Sequence, residues 1–148
     1  MNLEDIKKLR KQTGAGVMDT KKALEDANGD LQKAKEVLKA KGLERAEKKS
    51  EREIKAGRVF SYIHGVGKVG AIIKIGCETD FVAQNEEFEK LGNEIAMQVA
   101  AMNPESIEEL LKQDYIRDSS KTIKDLLSEV ISKTGENTTI AEISRLSI

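Results

Sequence analysis

The sequence changes character at the stretch CETDFVA, residues 77–83, where an alternating apolar run ends shortly before an acidic helical pattern begins. Apolar residues alternate from Val69 to Cys77, which is typical of a β-strand with one buried face. Asn85 is followed by two glutamates, as at the start of a helix. The stretch is therefore predicted to be a short strand-to-helix connection carrying one aromatic residue, Phe81.

The side chain of Phe81 must either fold back onto the core or reach a partner, because an exposed aromatic ring gains no free energy from burial. Most aromatic side chains in small domains belong to the core. From the residues alone, core packing is therefore the simpler expectation for Phe81, and contact with a partner is the alternative.

The composition limits the possible functions. The chain has 148 residues and a formal net charge of -1, so no overall basic field exists to attract nucleic acid. A single cysteine excludes an intrachain disulfide and fits a reducing compartment. No apolar run approaches the ~20 residues of a membrane span, and no secretory leader pattern is recognisable. We expect a cytoplasmic protein with neither nucleic acid nor membrane as partner.

Residues 1–42 show helical periodicity in three short segments. The first segment stops at the glycine-rich break of residues 13–16, and the second ends at Asn28-Gly29, a good helix stop. Asp30 can cap the third segment, which Gly42 is predicted to close. The pattern predicts a compact three-helix bundle near the lower size limit for independent folding.

Residues 43–56 are mostly charged and leave almost nothing to bury. Pairs such as Glu44 with Lys48 lie one helical turn apart and stabilise a helix by ~0.2–0.5 kcal/mol each. Because acids alternate with bases, nucleic-acid binding by this segment is the less favoured alternative. We predict a charged, helical and solvated linker.

Residues 57–148 combine strands and helices. A hairpin is predicted from strands at Arg58–His64 and Val69–Cys77, and a last strand at Thr138–Ile148. Helices are predicted from Asn85 to Met102, briefly after Pro104, and from Lys121 to Lys133. Strands and helices are segregated, so the fold class is α+β, with an antiparallel three-stranded sheet covered by helices on one face.

Three patterns that could carry chemistry are weak. Cys77 and His64 are the only residues of their types, so a Cys-His nucleophile pair is formally available, but Cys77 lies on the apolar face of its strand. The run Gly65-Val66-Gly67-Lys68 lacks the spacing of a phosphate-binding loop and does not lead into a helix. No cluster has metal-ligand spacing. We predict no catalytic residue, cofactor or metal.

Two long stretches resemble one known family. Residues 78–83, ETDFVA, resemble the signature of translation elongation factor Ts, the family that speeds nucleotide release from the GTPase elongation factor Tu. Residues 9–24, LRKQTGAGVMDTKKAL, resemble its opening signature, in the expected place and order. Gly135-Glu136-Asn137, after an amphipathic helix, also fits. The resemblance implies a bundle of the ubiquitin-associated (UBA-like) type in residues 1–42 and an elongation factor Ts core, or dimerisation domain, in residues 57–148.

This resemblance implies a guanine-nucleotide exchange factor and not an enzyme. It would bind elongation factor Tu in its GDP-bound and nucleotide-free forms. The residues that match Asp80 and Phe81, flanked by Thr79 and Val82, would insert between two helices of the GTPase domain and disturb its Mg²⁺ and phosphate region. For Asp80, hydrogen bonding to amides of its own loop is an equal alternative.

The bundle would supply a second contact through Leu9, Val17 and Met18. Exposed apolar residues at the start of the second helix are its natural contact surface. The alternative is that Val17 and Met18 pack inside the bundle, and this alternative has more weight for Val17.

The chain also departs from the family pattern. Relatives usually carry an acid and an Asn where this chain has Lys74 and Gly76, and often a basic residue or Asn where it has Gln84. These differences leave the affinity for the partner open. Many relatives carry a longer helical insertion, or a second copy of the core, where this chain has only the segment from Pro104 to Lys121. A single short core is therefore predicted to pair with itself as a homodimer, and a monomer that binds with one lobe is the alternative.

Two functions of other classes remain as alternatives. The first is an interaction module whose bundle binds ubiquitin-like or nascent-chain partners. The second is a small cysteine enzyme, which thiol alkylation would inactivate.

Overall fold

A computed structural model describes residues 2–148. Its elements follow in chain order as α1 (Leu3–Thr13), α2 (Val17–Asp26), α3 (Leu31–Lys49), β1 (Ala56–His64), β2 (Val69–Cys77), α4 (Asp80–Ala83), α5 (Glu86–Met102), α6 (Ile107–Lys112), β3 (Asp114–Tyr115), β4 (Asp118–Thr122), α7 (Ile123–Thr134) and β5 (Thr138–Ser147). The described residues thus confirm the α+β class, with three N-terminal helices and an antiparallel three-stranded sheet of order β1-β2-β5 packed with helices.

The three N-terminal helices begin and end largely where the sequence predicts. The Asn2 side chain caps α1 by accepting a hydrogen bond from the Glu4 amide at 3.1 Å, and Gly14 ends this helix at φ 71°. Asp30 caps α3 through the amides of Gln32 and Lys33. The bundle core is small and aliphatic, and consists of Leu9, Ala23, Leu24, Ala34 and Leu38.

The third helix is longer than predicted. Gly42 does not close α3, which continues for two further turns to Lys49. A helical glycine costs only about 1 kcal/mol relative to alanine, and the residues that follow Gly42 are mostly good helix formers. The boundary expected between bundle and linker therefore lies inside one continuous helix.

Only the first half of the predicted linker, residues 43–49, is helical, and the segment is not simply a solvated spacer. Just before it, Lys39 of α3 forms a 2.9 Å ion pair with Asp125 of α7. Within its second half, Arg52 donates a hydrogen bond to the Gly135 carbonyl at 3.2 Å. The bundle also approaches α7 at Gly14, where a Cβ atom would lie 2.7 Å from Cγ of Lys133. Bundle, linker and core are therefore packed together.

The hairpin of β1 and β2 has the predicted alternation. Its register pairs Ala56 with Cys77 and His64 with Val69. The apolar face of β2 is covered by α5, whose Gly92 lies directly against the ring of Phe60. This core is contributed mainly by β1, β2, α5 and α7, and its largest fully buried side chains are Phe88, Ile73, Ile75, Ile95, Leu110 and Ile123.

Two details between the sheet and its helices differ from expectation. Residues 114–122 form a small hairpin of β3 and β4, which polar side chains and only two cross-strand pairs made undetectable in the sequence. The helix expected from Lys121 begins at Ile123, because Thr122 and Asp125 form a reciprocal capping box.

Candidate partner-binding site

The connection after β2 contains a single helical turn, α4, where the sequence predicted a loop. The Thr79 side chain accepts a hydrogen bond from the Val82 amide at 3.3 Å and so caps this turn. Asn85 then caps α5 by accepting from the Glu87 amide at 2.8 Å, as predicted. Two consecutive caps fix the path of the chain on both sides of Phe81.

Phe81 points into solvent, and 85% of its surface is exposed. The simpler expectation from the residues alone, that Phe81 packs in the core, is wrong. Val82 is the residue of this turn that packs in the core, with 4% exposed, so its side chain anchors the turn and is not free to meet a partner. Asp80 is exposed beside Phe81. The side chain that accepts the capping hydrogen bond belongs to Thr79 and not to Asp80.

A carboxylate from another part of the chain braces this turn. Oε1 of Glu136 accepts hydrogen bonds from the Glu78 amide at 3.1 Å and the Thr79 amide at 2.9 Å. Oε2 of Glu136 accepts from the Thr79 hydroxyl at 2.7 Å. The Glu78 carboxylate in turn accepts a hydrogen bond from the backbone amide of Asn137, the residue after Glu136, at 2.7 Å. Sequence reasoning noticed Glu136 only as part of a resemblance, because nothing local indicates a partner 57 residues away.

Of the three positions at which relatives usually differ, Gly76 and Gln84 flank this turn, whereas Lys74 lies farther back on β2. Lys74 forms a 2.7 Å ion pair with Glu142 on the outward side of the sheet. A Cβ atom at Gly76 would lie 2.5 Å from Cγ2 of Ile54, so glycine lets the end of the linker pack on β2. Gln84 is the C-cap of α4.

Cys77 is a structural residue at the base of the turn. Its buried thiol donates to the Thr79 carbonyl at 3.2 Å. Burial, together with the charge of Glu136, raises the pKa of the Cys77 thiol, which weakens it as a nucleophile. His64 and Cys77 stand at opposite ends of the hairpin, eight residues apart in register, or roughly 26 Å. The alternative of a Cys-His nucleophile pair is therefore contradicted.

A second exposed apolar surface lies at the start of α2. Val17 is 48% exposed and Met18 75% exposed, so neither is packed inside the bundle. Leu9, which the resemblance implied as a contact residue, is only 1% exposed and belongs to the bundle core. The adjacent Asp19 accepts a 2.7 Å hydrogen bond from Arg45, which lowers the pKa of Asp19 and ties this end of α2 to α3.

The outward face of the sheet is a third apolar surface. Val59, Ile63, Ile72 and Leu146 are all exposed large hydrophobic residues. The register places them on neighbouring positions, since Ile63 pairs with Gly70 and Gly70 with Leu146. Ile63, Ile72 and Leu146 border a groove of about 520 Å³ that is lined mainly by apolar surface.

Within residues 2–148, no group of three or more His, Cys, Asp or Glu side chains is arranged to hold a metal ion. None of the helices in the same residues has the length and apolar character needed to cross a membrane.

Comparison with known proteins gives consistent matches. A family model described as "Elongation factor TS" matches residues 78–148. A protein of Leptospira biflexa serovar Patoc named "Elongation factor Ts" is 41% identical over 190 aligned residues, covering 98% of this chain and 96% of the relative. A protein of the same name from Clostridium botulinum strain 657 is 50% identical over 143 residues, covering 97% of this chain and 47% of the relative.

The two relatives differ from this chain in length. The 190 positions aligned with the Leptospira protein exceed the 148 residues of this chain, so that relative contains residues without a counterpart here. This chain spans about half the length of the Clostridium protein, at 47%.

Proposed function

This chain belongs to the elongation factor Ts family, a family of nucleotide exchange factors for elongation factor Tu in translation elongation, and from that premise we propose how it acts. It binds elongation factor Tu-GDP in the cytoplasm and promotes GDP release by disturbing the Mg²⁺ and phosphate region of the GTPase. The reaction involves no covalent step by side chains of this chain.

The observation that carries this proposal is the exposure of Phe81 on a braced turn. A large apolar side chain held away from the core is ready to be buried by a partner. Burying a Phe contributes on the order of 1.5–3 kcal/mol, or roughly ten- to a hundredfold in an equilibrium constant. Asp80 stands beside it with a negative charge, which is suited to repel phosphate and to compete for cationic partners of the nucleotide.

Exchange follows if the chain binds nucleotide-free elongation factor Tu more tightly than the GDP-bound form. By thermodynamic reciprocity, the same factor must weaken nucleotide binding in the complex. The Mg²⁺ ion bridges phosphate oxygens in such sites, so its displacement accounts for much of the loosening.

A second contact through Val17 and Met18 supplies the binding energy that one Phe cannot. Both surfaces belong to one packed unit, because α3 is joined to α7 by the pair of Lys39 and Asp125. Two linked contacts raise the overall affinity when both can engage together. The same packing disfavours the alternative of a free interaction module in which the bundle acts alone.

The outward face of the sheet supports the proposal of a homodimer through the core. Its exposed residues include Ile63, Ile72 and Leu146, whereas Lys74 and Glu142 form an ion pair at one side. An apolar patch with a polar border is typical of protein-protein interfaces. A second copy of the chain would cover this face and leave the Phe81 turn accessible at the end of β2.

The proposal is tested by measuring the affinity of the full chain for elongation factor Tu with and without GDP, by isothermal titration calorimetry. We expect tighter binding to the nucleotide-free form, and progressive weakening of the complex as GDP is added. Equal affinity for both forms would contradict exchange and would leave an interaction module.

A further inference from the structure

The turn that carries Phe81 depends on a residue from a distant loop. Glu136 lies between α7 and β5, and its carboxylate accepts three hydrogen bonds from the start of the turn, at 2.7 to 3.1 Å. Two of the donors are backbone amides, of Glu78 and Thr79. Amides at the start of a helical turn have no partner within the helix, and hydrogen bonds to an ionised acceptor are stronger than neutral ones.

The same loop is also connected to the linker. The Asn137 side chain is buried and donates to the carbonyls of Ser50, at 3.3 Å, and Arg52, at 2.8 Å. The backbone amide of Asn137 donates to the carboxylate of Glu78, which lies 3.6 Å from the Arg52 guanidinium. Residues 136 and 137 thus contact both the end of the linker and the start of the Phe81 turn.

We propose that Glu136 is a positioning residue for nucleotide exchange, whose carboxylate fixes the Thr79 cap and thereby the direction of Phe81. The inference rests on the proposed function of Phe81. Glu136 need not touch the partner, because it acts by reducing the number of conformations open to the turn before binding. Pre-organisation of this kind improves affinity without adding a contact.

The experiment is a double-mutant cycle measured as GDP release from elongation factor Tu. Glu136→Ala and Glu136→Gln are made in the wild-type chain and in the Phe81→Ala chain, and Glu108→Ala is the control. Glu108 is an exposed carboxylate on α6, away from the turn and from the apolar surfaces described above. Two residues that act through one interaction give non-additive effects.

In the wild-type background, Glu136→Ala is expected to raise the half-saturating concentration of the factor roughly three- to thirtyfold, the range set by the ordering of a few side chains and backbone bonds. Glu136→Gln keeps one acceptor oxygen and is expected to lose less. In the Phe81→Ala background, either change should alter exchange by less than about twofold. Glu108→Ala should match the wild type.

Thermal melting of every variant separates positioning from folding. If Glu136→Ala melts early, the cycle is read from Glu136→Gln, which retains the shape of the side chain. Equal losses in both backgrounds would overturn the inference alone, because Glu136 would then act independently of Phe81. A Phe81→Ala chain with wild-type exchange would overturn the function proposed for Phe81, and this inference with it.

Discussion

Phe81 and Val82 are consecutive residues of one helical turn, yet Phe81 is 85% exposed and Val82 is 4% exposed. Successive residues of a helix point about 100° apart, so a turn that buries one side chain directs the next away from the core. Val82 is therefore the anchor that keeps Phe81 outside. Because Phe81 is exposed and Val82 is buried, a mutation of Phe81 is expected to affect function, whereas a mutation of Val82 is expected to affect stability.

Phe81→Ala is expected to lower the rate of GDP release roughly ten- to a hundredfold, the value of one buried Phe. Its free energy of unfolding should stay within about 0.5 kcal/mol of the wild type, because an exposed side chain contributes little to the core. Exchange is measured by fluorescence, and stability by urea unfolding.

Phe88→Ala is the matched control for this change, since Phe88 is fully buried in the core. Removing it should cost about 3–5 kcal/mol of stability. A Phe81→Ala chain that unfolds like Phe88→Ala would show that Phe81 is a core residue in solution and would remove the basis of the site.

Met18→Ala tests the second surface. We expect a weaker complex with elongation factor Tu, by about 1–2 kcal/mol for the lost apolar contact, and unchanged stability. Leu24→Ala, in the bundle core, should instead cost about 2–5 kcal/mol of stability. Binding is measured by titration calorimetry, and wild-type affinity in Met18→Ala would exclude this end of α2 from the interface.

Ile72→Glu tests the homodimer. The side chain of Ile72 lies on the outward face of β2, opposite the helices, so a charge there should be tolerated by the fold but not by an apolar interface. Sedimentation velocity should show a dimer for the wild type and a monomer for the variant, with identical far-UV circular dichroism. A wild-type chain that stays monomeric at all concentrations would contradict the dimer.

Asp125→Asn tests the joint between bundle and core. Burial raises the pKa of Asp125, but hydrogen bonds from the Thr122 amide and from Lys39 outweigh it and leave the pKa below 3.8. A carboxyl whose pKa is lower in the folded state stabilises the fold at pH values above its unfolded-state pKa. This contribution is lost as the pH falls through its folded-state pKa.

The variant should therefore be less stable than the wild type by about 1 kcal/mol at neutral pH, because Asn can still accept a hydrogen bond from the Thr122 amide but has no charge to pair with Lys39. The difference should shrink as the pH falls from the unfolded pKa of about 3.8 through the lower folded pKa, below which the carboxyl is protonated in both states. Urea unfolding of the wild type and the variant, at pH values from 7 to below 3.8, measures this difference in the free energy of unfolding. A difference that does not depend on pH would show that the charge of Asp125 has no part in the joint.

Local patterns predicted much of this fold. Alternation defined β2, and Asn85 marked the start of α5, because each signal depends only on neighbouring residues. The extension of α3 beyond Gly42 was missed because tertiary packing on α7 outweighs the preference of one glycine.

The candidate site was less predictable. The exposure of Phe81 could not be deduced from its residue type, and the resemblance alone indicated it. The burial of Leu9 and Val82 and the contact of Glu136 with Thr79 depend on how distant segments meet, which no local pattern records.

The central claim is that this chain accelerates GDP release through the Mg²⁺ and phosphate region of elongation factor Tu. Stopped-flow release of a fluorescent GDP analogue, with and without the full chain and across a Mg²⁺ titration, measures it directly. We predict an acceleration that persists in excess Mg²⁺ but becomes smaller as Mg²⁺ rises. No acceleration at any Mg²⁺ concentration would contradict the claim.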